Sequence, residues 1–412
     1  MIPSAFLRGV FLSVCIGAAA HAQATRGQTT GSGLTLRAAV DSALRNNPDR
    51  RVAISLVDSA YAERRVARAF PNPTLSVIPN TPMQYAGTIP IDIGPQRIYR
   101  VRASDLGARA VEGDLGDNAR QLTLSVRRAY YDVLLADARR TIVDGRRQVM
   151  RQIVSADSAR VRAGDIPERA VVRSEVELVR TEADAARAGV DAQTARLVLQ
   201  GLMGVTEPDT AVHLAQELHF RDVSVDADEL ARNALANRPD LQASRLREGQ
   251  SAAVEHLTSA SLVPIPQLTY VRQFGAPFDS GRYFALGLGL EIPVLNLYRG
   301  QHDRAAAGRV AAEAAHRRLE SQVNREVRSA VAELQVQRAL VLRYEAGVLT
   351  KVHQNVDASR YAYSHGATSL LDVLDALRAE QDVMTDYSTA LHDYWVAVYS
   401  VRAATGSSEE VP

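Results

Sequence analysis

The chain has 412 residues, with 48 basic and 47 acidic side chains and a formal charge of +1, so it shows no basic footprint for nucleic acid and no acidic tail. Its 46% hydrophobic and 23% charged residues exclude a disordered chain, whereas 5% aromatics with a single Trp are thin for one large core. The lone cysteine, Cys15, excludes a disulfide framework and a cysteine metal cluster.

Residues 1–22 read as a secretory signal. Arg8 is the positive start, Gly9 to Ala20 the apolar run, and Ala20-His21-Ala22 a small-x-small cleavage site. Leu12-Ser13-Val14-Cys15 half resembles a lipoprotein box, but Val14 is bulky and the apolar run continues past Cys15, so lipidation is rejected. Beyond this leader no apolar run reaches about 18 residues, which excludes a transmembrane helix.

The remainder is one design written twice, at a spacing of roughly 200 residues, too long for a solenoid. Ala43-Leu44-Arg45-Asn46-Asn47-Pro48-Asp49 returns as Ala234-Leu235-Ala236-Asn237-Arg238-Pro239-Asp240, and Ala163-Gly164 returns as His365-Gly366. We expect a first repeat over 23–204, a linker over 205–222, a second repeat over 223–406 and a tail over 407–412.

Each repeat opens with a helical stretch capped by Thr35 or by Asp226/Asp228 and broken at its Asn-Pro or Arg-Pro pair. Two strand-like segments follow. In the second repeat these are 266–275 and 282–292, joined by a turn over 276–281. Phe284, Leu286, Leu288, Leu290 and Ile292 alternate with Tyr283, Ala285, Gly287, Gly289 and Glu291, giving one apolar and one small or polar face. Membrane barrel strands need about 9–11 residues of this alternation. A half-buried soluble hairpin fits the pattern equally; the leader and the want of a core to cover the face favour the membrane. The first-repeat hairpin, with Leu75-Ser76-Val77-Ile78 and then Ile89-Pro90-Ile91-Asp92-Ile93, is interrupted by Pro79 and Pro82 and reads as short or irregular.

Long helices close each repeat. No proline lies between Pro95 and Pro167, or between Pro293 and Pro412. A single helix over 103–163 would run about 90 Å. Val327, Leu334, Val341 and Val348 recur every seven residues, a coiled-coil seam that suits a thin wall better than a thick core.

Taken in order, four segments resemble the TolC-like family of outer-membrane efflux proteins. They are Leu36 to Pro48, its counterpart Ala234 to Leu241, the helix ends Gly201-Leu202-Met203-Gly204 and Arg402 to Gly406, and Tyr363-Ser364-His365-Gly366-Ala367-Thr368-Ser369-Leu370-Leu371-Asp372-Val373-Leu374-Asp375-Ala376. The resemblance implies a mainly α protein with a membrane β-barrel: long α-helical hairpins forming a periplasmic tunnel, four strands per protomer, and a homotrimer closing twelve strands in the outer membrane. It implies a passive exit duct fed by a periplasmic adaptor protein and an inner-membrane pump of RND type, with no cofactor and no nucleic acid. Strand residues Phe284, Leu286, Leu288 and Leu290 would face outer-membrane lipid. Ala163, Gly164, Asp165, His365, Gly366 and Ala367 would form the adaptor-contacting tips, with glycine allowing a left-handed turn and close helix approach. Asp372 and Asp375 match the acidic pair that narrows the family's entrance. Three copies would make a ring of six carboxylates whose repulsion raises some of their pKa values. Tyr363 matches a tip-latching tyrosine, while Thr368 stands where a latching arginine is expected. Gly94 to Arg100 and Ile292 to Gln301 resemble the family's heavy-metal cation branch.

No His-Glu-x-x-His, Gly-x-Ser-x-Gly or phosphate-loop motif occurs, and the histidines have no ligand spacing, so an enzyme is not expected. The competing reading is an exported trimeric coiled-coil scaffold or adaptor without a channel.

Overall fold

The computed structural model describes residues 33–79, 83–209, 211–223, 225–274 and 283–406. The expected signal segment with Cys15, the tip of the second β-hairpin and the C-terminal tail lie outside them.

Proline and a polar cap set the first break of each repeat. Helix α1 (Leu36–Asn46) is capped by the Thr35 side chain and ends at Asn47, whose Oδ1 accepts from the Asp49 and Arg50 amides to start α2 (Pro48–Arg68). Pro48 suits the first turn because it has no amide hydrogen to leave unpaired. The second repeat follows the same plan with α5 (Ala227–Asn237), capped by Asp226, and α6 (Pro239–Ala260), which begins after Arg238. Asp228 does not cap; it pairs with Arg328 at 3.0 Å.

The four strands are β1 (Thr74–Ile78), β2 (Met83–Pro90), β3 (Pro266–Phe274) and β4 (Tyr283–Leu290), joined antiparallel in the order β1-β2-β3-β4. The hairpins of the two repeats thus meet along the β2–β3 ladder, where Met83 to Pro90 oppose Phe274 to Gln267. Here the sequence reading needs correction. The second strand of the first hairpin starts at Met83 and ends at Pro90, and Ile91 to Ile93 lie beyond it. Pro90 is tolerated because it is the strand's last residue. Register puts Leu75, Val77, Tyr85, Ile89, Leu268, Tyr270, Phe284, Leu286, Leu288 and Leu290 on one face, all of them exposed, with Arg272, half-buried between Tyr85 and Phe284, as the charged exception. The other face carries Thr74, Ser76, Ala86, Thr88, Gln267, Thr269, Ala285, Gly287 and Gly289, with Thr88 and Thr269 hydroxyls 3.2 Å apart.

After β2 comes α3 (Pro95–Ala163), 69 residues and about 100 Å long, and then α4 (Glu168–Leu202). After β4 come α7 (Arg299–Arg343), a π turn over Tyr344–Val348, α8 (Leu349–Ser364) and α9 (Leu370–Thr405). The seven-residue seam holds for Val327, Leu334 and Val341, which are buried, but Val348 is only half-buried. The π turn, with Gly347 at φ 120°, adds a residue to the helical period and ends the register. No described helix is long and apolar enough to cross a membrane.

The core also corrects the expectation of a thin wall throughout. Five aromatics gather in one place: Tyr130 and Tyr131 of α3 meet Tyr394, Trp395 and Tyr399 of α9, with Tyr131 stacked on Trp395 at 5.7 Å. The linker is drawn onto this cluster. Tyr394 donates to the Arg221 carbonyl at 2.7 Å, Trp395 Nε1 donates to the His219 carbonyl at 2.9 Å, and Phe220 packs edge-on against Tyr394. A smaller core of Met150, Ile153, Val356, Val373, Leu374, Ala376 and Leu377 lies near the helical tips.

Candidate functional site at the helical tips

Both helical hairpins turn on glycine. Gly164, at φ 80°, follows α3, and its amide donates to the Val161 carbonyl; Gly366, at φ 74°, follows α8, and its amide donates to the Tyr363 carbonyl. A Cβ at either glycine would meet nothing within 4 Å. The left-handed backbone alone therefore calls for glycine, and the expected close helix approach is not the reason. Ala163 is the last residue of α3, Asp165 and Ala367 complete the turns, and His365 is exposed, with its ring 4.2 Å from that of Tyr361.

Asp372 and Asp375 lie one turn apart on α9, both exposed, on the side opposite buried Val373, Leu374, Ala376 and Leu377. Their surroundings differ. Asp372 is the third residue of a capping box: its Oδ2 accepts from Thr368 Oγ1, Ser369 Oγ and the Ser369 amide, while Ser369 Oγ accepts from the Asp372 amide. The Thr368 and Ser369 hydrogen bonds hold its carboxyl below the usual carboxylate range. Asp375 has no capping role and lies 3.6 Å from Arg378.

Tyr363 is half-buried and donates to Asp157 Oδ1 of α3 at 2.7 Å. Asp157 is fully buried, and its Oδ2 has no hydrogen-bond partner among the described residues. Burial and the Asp157 carboxylate push the tyrosine up to about 12, so it is a neutral donor at physiological pH. Thr368, at the position of the expected latching arginine, serves the cap of α9 instead.

Sequence reasoning missed Asp157 and a second charged group. Glu177 of α4 accepts from Arg146 of α3 at 2.7 Å and from Arg378 of α9 at 3.4 Å, joining three helices through one carboxylate. Both are acidic residues on helices otherwise laced with charge, so spacing alone does not distinguish them from solvated positions.

The Gly94 to Arg100 segment proves structural. Arg100 donates to the Ala67 carbonyl at 3.1 Å and pairs with buried Asp92, while Arg97 donates to the Arg68 and Ala69 carbonyls and lies 3.9 Å from the Phe70 ring centroid. These arginines cap the end of α2 where strands give way to helices. No group of three or more metal-ligating side chains occurs among the described residues.

Residues 230–407 match the family model described as outer membrane efflux protein. The cobalt-zinc-cadmium resistance protein CzcC of Cupriavidus metallidurans is 28% identical over 381 residues, covering 90% of each chain. Among solved structures, the Campylobacter jejuni CmeC outer membrane channel superposes with a TM-score of 0.77 at 16% identity, covering 91% of this chain and 87% of that one. The Vibrio cholerae outer membrane protein VceC gives 0.74 at 20% identity, covering 90% and 96%.

Proposed function

We propose a working arrangement for this chain, which belongs to the TolC-like outer membrane efflux proteins and is the exit duct of a tripartite efflux system. The observation that carries it is the four-stranded sheet: one exposed face that is apolar apart from Arg272, two outer strands each with an open edge, and helices of up to about 100 Å running from its base. An open apolar sheet is unstable in water and in lipid unless its edges are paired. Three protomers pairing β4 to the next β1 close twelve strands. Phe284, Leu286, Leu288 and Leu290 then meet lipid, and Thr88, Thr269, Gly287 and Gly289 line the lumen.

The helices form the periplasmic tunnel. The turns at Gly164 and Gly366 are its far end and meet the adaptor protein, through which an inner-membrane pump of RND type delivers cargo. Asp372 and Asp375 form the constriction there. The repulsion within the ring is borne chiefly by Asp375, because Asp372 is already committed to the α9 cap. The Tyr363–Asp157 bond ties the end of α8 to α3 and holds the tip closed. Conduction is passive, so no catalytic group is needed.

The cargo we propose is a divalent metal cation. Support comes from the likeness to a protein named for cobalt, zinc and cadmium resistance over 90% of both chains, together with acidic side chains at the tip. The Gly94 to Arg100 segment gives no support, since its arginines are engaged in the strand-to-helix junction.

Single-channel recording of the purified trimer tests the arrangement. Asp375→Asn should lower preference for cations over anions and weaken block by divalent cations, with assembly unchanged. Asp372→Asn should do so less cleanly, because it also weakens the capping box of α9. Unaltered selectivity in Asp375→Asn would remove the constriction from this site.

A further inference from the structure

The guanidinium of Arg378 stands between two carboxylates of opposite character. Its Nη1 is 3.6 Å from Oδ1 of Asp375, whose side chain is 62% exposed, and its Nη2 is 3.4 Å from Oε1 of Glu177, whose side chain is 8% exposed. Glu177 is itself fixed. Arg146 reaches the same Oε1 at 2.7 Å while donating its other terminal nitrogen to Gln381 at 2.6 Å, and Arg180 lies 3.6 Å from Oε2. A buried carboxylate can keep its charge only when it is compensated in this way, and Arg378 supplies part of the compensation. Arg378 is consequently shared: whatever positive charge Glu177 holds inward is not available to Asp375.

We propose that Arg378 is a specificity-determining residue of the channel entrance, and that Glu177 is the positioning residue that sets how much of the Asp375 charge Arg378 masks. The entrance is then a graded filter of acid and arginine rather than a bare acidic ring, and its preference for cations is set by a residue outside the lumen wall. The inference rests on the reading that Asp375 faces the lumen at the constriction.

The geometry gives the two substitutions opposite signs. Replacing Arg378 by Gln unmasks Asp375 and strengthens the attraction for cations. Replacing Glu177 by Gln releases the inward hold, lets the guanidinium settle on Asp375, and weakens that attraction. A purely structural role for the pair would move both variants the same way, through a loosened tip.

The test is the reversal potential of the full-length trimer in a planar bilayer under a potassium chloride gradient. Arg378→Gln should raise the potassium-to-chloride permeability ratio about twofold, Glu177→Gln should lower it by a similar factor, and Arg378→Lys should stay near the unsubstituted protein. Asp375→Asn is measured beside them and should lower the ratio. A lowered ratio in Asp375→Asn with no rise in Arg378→Gln overturns this inference and leaves the constriction standing. An unchanged ratio in Asp375→Asn overturns the constriction and this inference with it. Shifts of the same sign in Arg378→Gln and Glu177→Gln also overturn it. Should Glu177→Gln fail to assemble, the contrast between Arg378→Gln and Arg378→Lys decides: a rise confined to the Gln variant supports the filter, and equal ratios refute it.

Discussion

Arg238 donates to the Ala404 carbonyl at 3.1 Å, closing the end of α9 against the break between α5 and α6. Asn47 makes the equivalent bond in the first repeat, to the Leu202 carbonyl at 2.9 Å. The repeats thus solve one problem, an orphan carbonyl at a return-helix end, with different chemistry. Gly204 and Gly406 lie beside these contacts in left-handed conformation, and a Cβ at Gly204 would come within 2.5 Å of the Asn46 carbonyl oxygen.

The second solution uses a charge and carries a cost that the first avoids. The Arg238 side chain is 3% exposed and is compensated by Asp240 and Glu326, each at 2.7 Å. Burial pushes the Asp240 carboxyl up, but the Arg238 hydrogen bonds and charge outweigh it and hold the group below the ordinary range; Glu326 behaves likewise, with Gln322 assisting Arg238. A depressed folded pKa gives stability that is present above the unfolded carboxylate value and lost as pH falls through the folded one. Arg238→Ala should cost about 3 kcal/mol, read from the urea midpoint of the trimer, and should flatten the loss of stability on the acid side of pH 4.

The two faces of the sheet should respond in opposite ways. Leu288→Arg places a charge on the apolar face and should cost about 2–4 kcal/mol, seen as loss of folded trimer from the outer-membrane fraction. Gly287→Ser places a hydroxyl on the other face, where the nearest atoms to a new Cβ are those of Thr269 at 4.0 Å, and should leave the yield of trimer unchanged.

His392 gives a pH dependence of the other sign. Burial lowers its pKa, but Asp132 and Asp393, each 2.8 Å from a ring nitrogen, outweigh burial and raise it above the usual histidine value. A raised folded pKa gives stability that is fully present below about pH 6.5 and fades as pH rises through the folded value. The thermal midpoint of the trimer should therefore fall as pH rises above about 6.5, and His392→Gln should remove that slope.

Tyr363→Phe should loosen the tip. It deletes the hydrogen bond to Asp157 Oδ1 and leaves a fully buried carboxylate whose other oxygen already has no partner among the described residues. The local cost is about 1–3 kcal/mol. The expected readings are raised basal conductance and faster proteolysis between α8 and α9, with the urea midpoint nearly unmoved because the aromatic core belongs to a separate cluster.

Much of this architecture could be read from local signals. Pro48 and Pro239 mark their helix starts, glycines mark the tips, and the even-numbered apolar residues of β4 mark its exposed face. The less legible features depend on partners far away in the chain. Met83 to Pro90 becomes a strand because β3 pairs along it from a distance of about 180 residues, overriding a composition in which flanking prolines dominate. Tyr131 and Trp395 stack although 264 positions separate them, so scattered aromatics in the sequence became one core. At the site, Asp375 could be matched to a motif, but nothing local to Glu177 or Asp157 reveals which acidic residues on a charge-rich helix are turned inward. The π turn at Tyr344–Val348 likewise broke a seven-residue seam that continued cleanly in the sequence.

The central claim is that three copies close the open sheet into a lipid-embedded barrel continuous with a helical tunnel. Electron microscopy of the particle extracted from outer membranes in detergent tests it most directly. The account predicts threefold symmetry, twelve strands with β4 of one protomer paired to β1 of the next, Leu286 and Leu288 against detergent, and a tunnel narrowing at Asp375. A particle released without detergent, or one in which β1 and β4 remain unpaired, would contradict it.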